Sequence, residues 1–347
     1  MQIDFGGGDE IRFERIGAAG VVTMTRAKAL NAITHRMVVA LDAALDAWEG
    51  DADVALVVIR GEGRAFSAGG DILDVYRGGL VGNPPVGFFA DEYRLNARIA
   101  RFSKPYVALI DGIVMGGGVG VSFHGSHRVM TENALFAMPE VGIGFFPDVG
   151  GSHILPRLKD GYGMYLALTG SRIRRGDARW SGLATHCVAA ASLEPLVQAL
   201  CAGEGPDAAI GRFAVDVGAE TDAGTRRAIA RHFSRGSLEA IVASLSAQEG
   251  PFEAATLATM RQRSPTSVKV AFRQIRAGAT LSMEDCMRME FRILTRMLAG
   301  VDFYEGIRAA IVEKGSTPVW NPATFEEVAD DRVDAYFAPL ETGDIDL

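Results

Sequence analysis

The sequence predicts an α/β fold: parallel strands layered with helices over the first two hundred residues, followed by a helical C-terminal region. Three observations predict it. Short, valine-rich apolar runs alternate with amphipathic runs up to about residue 205. Beyond that point strand signals vanish and helical periodicity continues to the end of the chain. The chain has 347 residues, 48% of them hydrophobic and 22% charged, which is enough apolar material for one large core or two smaller ones.

In order, Ile11–Ile16 and Val21–Thr25 read as strands around the turn Gly17-Ala-Ala-Gly20. Thr34 is placed to cap a helix whose Met37, Val38, Leu41, Ala44, Leu45 and Trp48 share one face. Asp53–Arg60 is a valine-rich run with the look of a buried strand. Tyr106–Ile110 repeats that pattern after a helical stretch around Phe88–Phe102, and short runs follow at Arg128–Thr131 and Leu135–Met138. Strand–strand–helix units of this kind suggest helices packed on parallel strands. The best boundary is Gly203-Glu-Gly-Pro206, which gives a core of residues 1–205 and a helical region of 206–347. In that region Ser264 and Pro265 mark a helix start, and Met283–Leu298 forms a long amphipathic helix ending before Gly300.

Composition excludes several function classes. The formal net charge is −8 and no Lys/Arg-rich run occurs, so no nucleic-acid partner is expected. Cys187, Cys201 and Cys286 are odd in number and lack CxxC spacing, which argues against a disulfide framework or zinc site and for a reducing compartment. No apolar stretch reaches the ~18 residues of a membrane span, and no targeting segment is evident, so a cytoplasmic protein without a membrane partner is expected. His124, His127 and His153 lack HExxH spacing, and no metal is expected. No GxSxG elbow occurs either, since Ser122 sits in GVSFH.

Three glycine-centred segments stand out: Ala65–Ile72 (AFSAGGDI), Asp111–Gly120 (DGIVMGGGVG), and AMPE at 137–140 continuing to FPDVGG at 146–151. Consecutive glycines at a strand–helix junction let backbone approach a ligand and leave N–H groups at the positive helix end. Such groups suit a phosphate or an oxyanion that develops during reaction. A plain structural turn explains any one segment equally well, and the GxGxxG dinucleotide spacing is not met.

In combination, order and spacing resemble the crotonase (enoyl-CoA hydratase/isomerase) superfamily. The TRAKALNAI segment with Arg26, Lys28 and Asn31, the LALTGSRI and GLATHCV runs, and Asp302–Arg308 extend the resemblance over nearly the whole chain. It implies a crotonase-type ββα superhelix core and an acyl-CoA substrate, with coenzyme A entering as part of the substrate and no separate cofactor. It further implies that the N–H groups of Gly70 and Gly117 form an oxyanion hole. Ala68 and Asp71 of the first segment, with Arg26 and Lys28, become candidate substrate contacts; each of the two basic residues reads equally as a surface charge.

Hydratases of this superfamily use two glutamates. Glu140 matches the second, whereas Gly120 stands at the position of the first. Asp148 follows eight residues after Glu140, where hydratases usually carry a small residue. This pair, the DEYRLN run, the long helical tail, SPTS and the TPVWNPA segment resemble the 3-hydroxyisobutyryl-CoA hydrolase branch. That resemblance implies thioester hydrolysis, in the service of valine breakdown, with Glu140 and Asp148 as catalytic residues. Glu92 matches a substrate-contacting glutamate of the branch and reads equally as a solvated helix charge. Glu140 could attack directly or deprotonate water. A hydratase or isomerase working with Glu140 alone, and a non-catalytic acyl-CoA binder, are the rival readings. Family relatives often assemble through their C-terminal helices, which leaves room for a homo-oligomer.

Overall fold

The computed structural model describes all 347 residues. The chain divides into two compact units, both discontinuous. The first comprises Met1–Asp71, Asp91–Phe136 and Ile173–Glu220; the second comprises Ile72–Ala90, Ala137–Arg172 and Thr221–Leu347. The boundary expected at 205/206 therefore falls inside the first unit. The change in periodicity there is real, because every regular element after Cys187 is helical. Residues 188–220 nonetheless pack on the strands, through the helices Leu193–Cys201 and Pro206–Phe213.

The first unit is built on a seven-stranded sheet in the order β1-β2-β3-β4-β6-β8-β10: Gln2–Ile3, Ile11–Ile16, Ala19–Met24, Leu56–Gly61, Tyr106–Ile110, His127–Met130 and His186–Cys187. The hairpin β2/β3 is antiparallel, and β3, β4, β6, β8 and β10 run parallel. Register aligns Val21 with Val58 and Val58 with Val107, and Leu109 with Val129. This row packs on Leu196, Val197, Leu200 and Ile210. On the opposite face Met24 and Ile59 meet Met37, Val38 and Leu41 of the helix His35–Gly50. Burial on both faces explains why these strands read as continuous apolar runs rather than alternating ones.

That helix starts where the sequence places it, with the Thr34 side chain accepting from the Met37 N–H at 3.2 Å. Its far end is closed by Lys104, whose ammonium donates to the carbonyls of Trp48, Asp51 and Val54 at 2.6–2.7 Å. A three-stranded sheet, β5-β7-β9 (Ala65–Ser67, Ile113–Met115 and Leu135–Ala137), carries the first two glycine segments. Leu135–Ala137 falls on the short run read at Leu135–Met138, while Ala65–Ser67 and Ile113–Met115 are too short to register as periodicity.

The second unit is helical. Tyr162–Thr169 lies almost wholly buried and is packed by Ala223–Phe233, Pro251–Arg261 and Pro265–Gly278. Pro265–Gly278 begins at the expected cap: Ser264 Oγ accepts from the Ser267 N–H at 3.2 Å. Met283–Leu298 matches its predicted bounds and is capped by Ser282. No helix is long and apolar enough to cross a membrane.

Candidate active site

Each unit holds one cluster of the residues singled out by sequence. In the first, β5 and β7 deliver the turns Ala68–Asp71 and Gly116–Gly120. Gly69 (φ 115°) and Gly116 (φ 45°) take backbone conformations closed to most side chains. The turns are neighbours: a Cβ at Gly117 would lie 3.3 Å from the Gly70 nitrogen. The loop's hydrogen bonds pass around both residues. Ala68 N–H serves Leu30, Asp71 N–H serves Ile33, and Ile33 N–H serves Gly69. The Gly70 and Gly117 N–H groups have no backbone carbonyl to serve. Two such adjacent N–H groups, one opening the short helix Gly117–Gly120, can take an anion or a carbonyl oxygen gaining negative charge.

The residues around the turns hold them in place. Asn31, fully buried, donates to the carbonyls of Glu62 and Ala65 at 2.9 and 2.8 Å. The Arg26 guanidinium donates to Asp71 at 2.9 Å and to the Ala32 carbonyl at 2.6 Å. Arg26 and Asp71 thus engage each other, tying the start of the chain to the Gly70 turn. Lys28 is exposed on the short turn Ala27–Ala29, apart from that network.

Glu92 is not a solvated charge. It is 2% exposed, and its Oε1 would be 2.6 Å from a Cβ at Gly117. A carboxylate therefore does reach the glycine turn, from the helix Val86–Arg101 rather than from position 120. One turn further along that helix, Asn96 is fully buried with neither amide atom hydrogen-bonded. Sequence reading passed over Asn96; a polar residue on the buried face of an amphipathic helix was the available signal.

The second cluster is acidic. Glu140 opens the 3-10 turn Glu140–Ile143, and Asp148 sits in the loop before the short helix Gly151–Ile154. Glu140 is 6% and Asp148 4% exposed. Burial pushes the Glu140 carboxyl well above its usual range, and the charges of Asp148 and then Glu290 push it in the same direction. Its Oε2 has no hydrogen-bond partner. Part of the dry surroundings is aromatic: Phe145 packs with tilted rings against Phe89, Phe146 and Phe303 at centroid separations of 4.7–6.1 Å.

Glu290 is the third acid, and sequence reading missed it. Fully buried on Met283–Leu298, it accepts from the N–H groups of Gly150 (2.9 Å) and Ser152 (3.0 Å) and from the Ser152 hydroxyl. Burial pushes it up to about 8, against the pull of those hydrogen bonds. Its signal was a charge on the apolar stripe formed by Cys286, Met287, Ile293 and Leu294. His127 bonds Ser126 and Asp207, and no group of three or more His, Cys, Asp or Glu side chains is arranged to hold a metal ion.

Comparison with known proteins matches residues 19–337 to the family described as enoyl-CoA hydratase/isomerase. The chain is 43% identical to the mitochondrial 3-hydroxyisobutyryl-CoA hydrolase of Danio rerio, over 98% of this chain and 92% of the relative. It is 38% identical to the protein of that name from Homo sapiens, over 97% and 90%. Among solved structures, a carnitinyl-CoA dehydratase from Mycobacterium thermoresistibile superposes with a TM-score of 0.92 at 39% identity, covering 97% of this chain and 98% of that one. An enoyl-CoA hydratase from Rhodobacter sphaeroides 2.4.1 gives 0.89 at 37%, covering 97% and 100%.

Proposed function

The chain belongs to the enoyl-CoA hydratase/isomerase (crotonase) family, and from that premise we propose that it hydrolyses acyl-CoA thioesters, with 3-hydroxyisobutyryl-CoA as substrate. The observation that carries this reading is the buried Glu140–Asp148 acid pair, in a chain that has Gly120 where family hydratases carry their other glutamate. The names of the vertebrate relatives support the same reaction.

Thioester hydrolysis needs an oxyanion site, a nucleophile or base, and a carrier for protons. The N–H groups of Gly70 and Gly117 are the proposed oxyanion donors, each worth about 3–4 kcal/mol at the transition state. Glu140 is the proposed nucleophile. Its ionised carboxylate attacks the thioester carbon and the C–S bond breaks, which leaves a mixed anhydride and CoA thiolate. Asp148 protonates the thiolate, then takes a proton from the water that opens the anhydride to the free acid and restores Glu140. Glu92, against Gly117, is the proposed contact to the acyl group's hydroxyl. Arg26 and Asp71 position the Gly70 turn, Ala68 lines it, and Lys28 is the remaining candidate for the CoA phosphates.

Glu92 also favours a second reading, in which it replaces the missing glutamate and the reaction is hydration. The experiment is CoA thiol release from 3-hydroxyisobutyryl-CoA, with crotonyl-CoA hydration run in parallel, on the wild type, Glu140→Gln and Asp148→Asn. Rapid CoA release that both variants abolish, without hydration, is the expected result. Hydration without CoA release overturns it in favour of the second reading. Bound acyl-CoA with neither reaction points to a binder.

We propose a role in valine breakdown on the strength of the same relatives. For the compartment, the three unpaired, buried cysteines support a reducing environment; we propose the cytoplasm, against the mitochondrial label of the vertebrate proteins, and cell fractionation decides. Self-association is tested by sedimentation.

A further inference from the structure

We propose that Glu290 is a positioning residue for the reaction, holding the turn that carries Asp148 and adding a third acid to the Glu140–Asp148 pair. The inference rests on the hydrolase reading for its kinetic consequences and on geometry for the rest.

The turn Pro147–Ser152 has one backbone hydrogen bond of its own, from the Gly151 N–H to the Asp148 carbonyl at 2.7 Å, and it carries strain. Val149 has φ 49°, a left-handed conformation that a β-branched side chain disfavours by about 1–3 kcal/mol. The helix that follows, Gly151–Ile154, is a single turn and has no side-chain cap of its own. Two tail helices supply what is missing. Gln274 of Pro265–Gly278 donates to the Pro147 carbonyl at 2.6 Å. Glu290 of Met283–Leu298 accepts from Gly150 and Ser152 on the other side of Asp148. At Gly278 a Cβ would run into the Ser152 carbonyl, so the tail approaches as closely as backbone allows. Asp148 is thus bracketed by contacts to residues 274 and 290.

Glu290 also brings charge. The titratable groups facing it are Asp148 and Glu140 from the loop and the Cys286 thiol from its own helix. Three donors converge on Glu290, whereas the Glu140 carboxyl has its own backbone N–H and nothing at Oε2. Hydrogen bonding to the charged form favours ionisation, so Glu290 is the first of the two carboxyls to lose its proton as pH rises toward about 8. That charge opposes ionisation of Glu140. A protonated Glu140 cannot attack, so the acid limb of the pH–rate profile reports on Glu290 as well as on Glu140.

The test compares Glu290→Gln, Glu290→Asp and Ser152→Ala with the wild type, each first checked for folding by circular dichroism. Readouts are the pH profile of CoA release and the infrared carbonyl band of protonated carboxyls. Glu290→Gln is expected to move the acid limb down by roughly 0.5–1 pH unit. It should also lower kcat about ten- to a hundredfold at little-changed KM. Ser152→Ala weakens the charge at Glu290 and should shift the limb the same way by less. Glu290→Asp keeps the charge but shortens the reach, so kcat should fall with the limb unmoved. An unmoved limb in both Glu290→Gln and Ser152→Ala overturns the proposal, as does unchanged kcat in all three variants. Should the wild type release no CoA, the hydrolase reading fails separately. The infrared titration then decides alone: a midpoint of the remaining buried carboxyls that is identical in wild type and Glu290→Gln overturns the coupling.

Discussion

The glycine cluster of the first unit and the acid cluster of the second present opposite physical problems. Around Gly70 and Gly117 the working groups are backbone N–H groups, and the task is to keep side chains away. A methyl group at Gly118 would press on Ser67 backbone at 2.6 Å, as one at Gly117 would on Glu92. Around Glu140 and Asp148 the working groups are charges in a dry interior, and the task is to keep them from being neutralised or displaced. The first is solved locally, by residues whose hydrogen bonds close short loops. The second is solved by helices from the far end of the chain. Dipoles fixed by backbone tolerate no added volume, whereas buried carboxyls tolerate no change in neighbouring charge.

This contrast can be broken from either side. The largest effect is expected from Glu140→Gln, which should lower kcat/KM for CoA release at least about a thousandfold while circular dichroism stays native. Retention of a tenth of the activity would remove Glu140 from the chemistry. Next, Gly117→Ala should lower kcat about a hundredfold by disturbing one donor. Adding Glu92→Ala relieves the clash and should recover thermal stability without recovering rate. If rate returns too, the glycine is there only for space.

The acid cluster makes a prediction about stability and pH. Glu290 has its folded pKa raised from 4.5 to about 8, so the folded state holds its proton longer than the unfolded chain does. Its contribution is fully present below about pH 4.5 and lost as pH rises toward about 8, at up to about 1.4 kcal/mol per pH unit. Urea melts between these limits should show that loss in wild type and less of it in Glu290→Gln; parallel curves would mean that the carboxyl titrates normally. The smallest effect is expected at the cap of His35–Gly50, where Thr34→Ala should cost about 1 kcal/mol in the same melts and leave kcat alone.

What could be read from sequence follows the same divide. Gly70, Gly117, Glu140 and Asp148 lie in short motifs whose order carries the family resemblance. Tyr106–Ile110 matches its predicted bounds because it is an unbroken apolar run buried throughout, and Ile11–Ile16 because Ile11 and Phe13 are buried between charged neighbours, the alternation of a strand with one covered face. Glu92 could not be decided, since the same helix positions serve a solvated face or a buried one, according to what packs on them. Glu290 was missed because its partners are 138 and 140 residues away. The boundary drawn at 205 lies inside the first unit for a related reason: periodicity tells where strands stop, not that Leu193–Cys201 and Pro206–Phe213 still cover a sheet.

The bracketing of Asp148 has a consequence for biosynthesis. During translation the turn at 147–152 emerges long before the helix Met283–Leu298 exists, and for that interval its strained valine and uncapped single-turn helix lack their clamp. The acid cluster can close only when the ribosome has delivered the helix Met283–Leu298. A product cut short before residue 290 would carry every glycine and acid of the recognisable motifs, yet lack the group that holds one of them still.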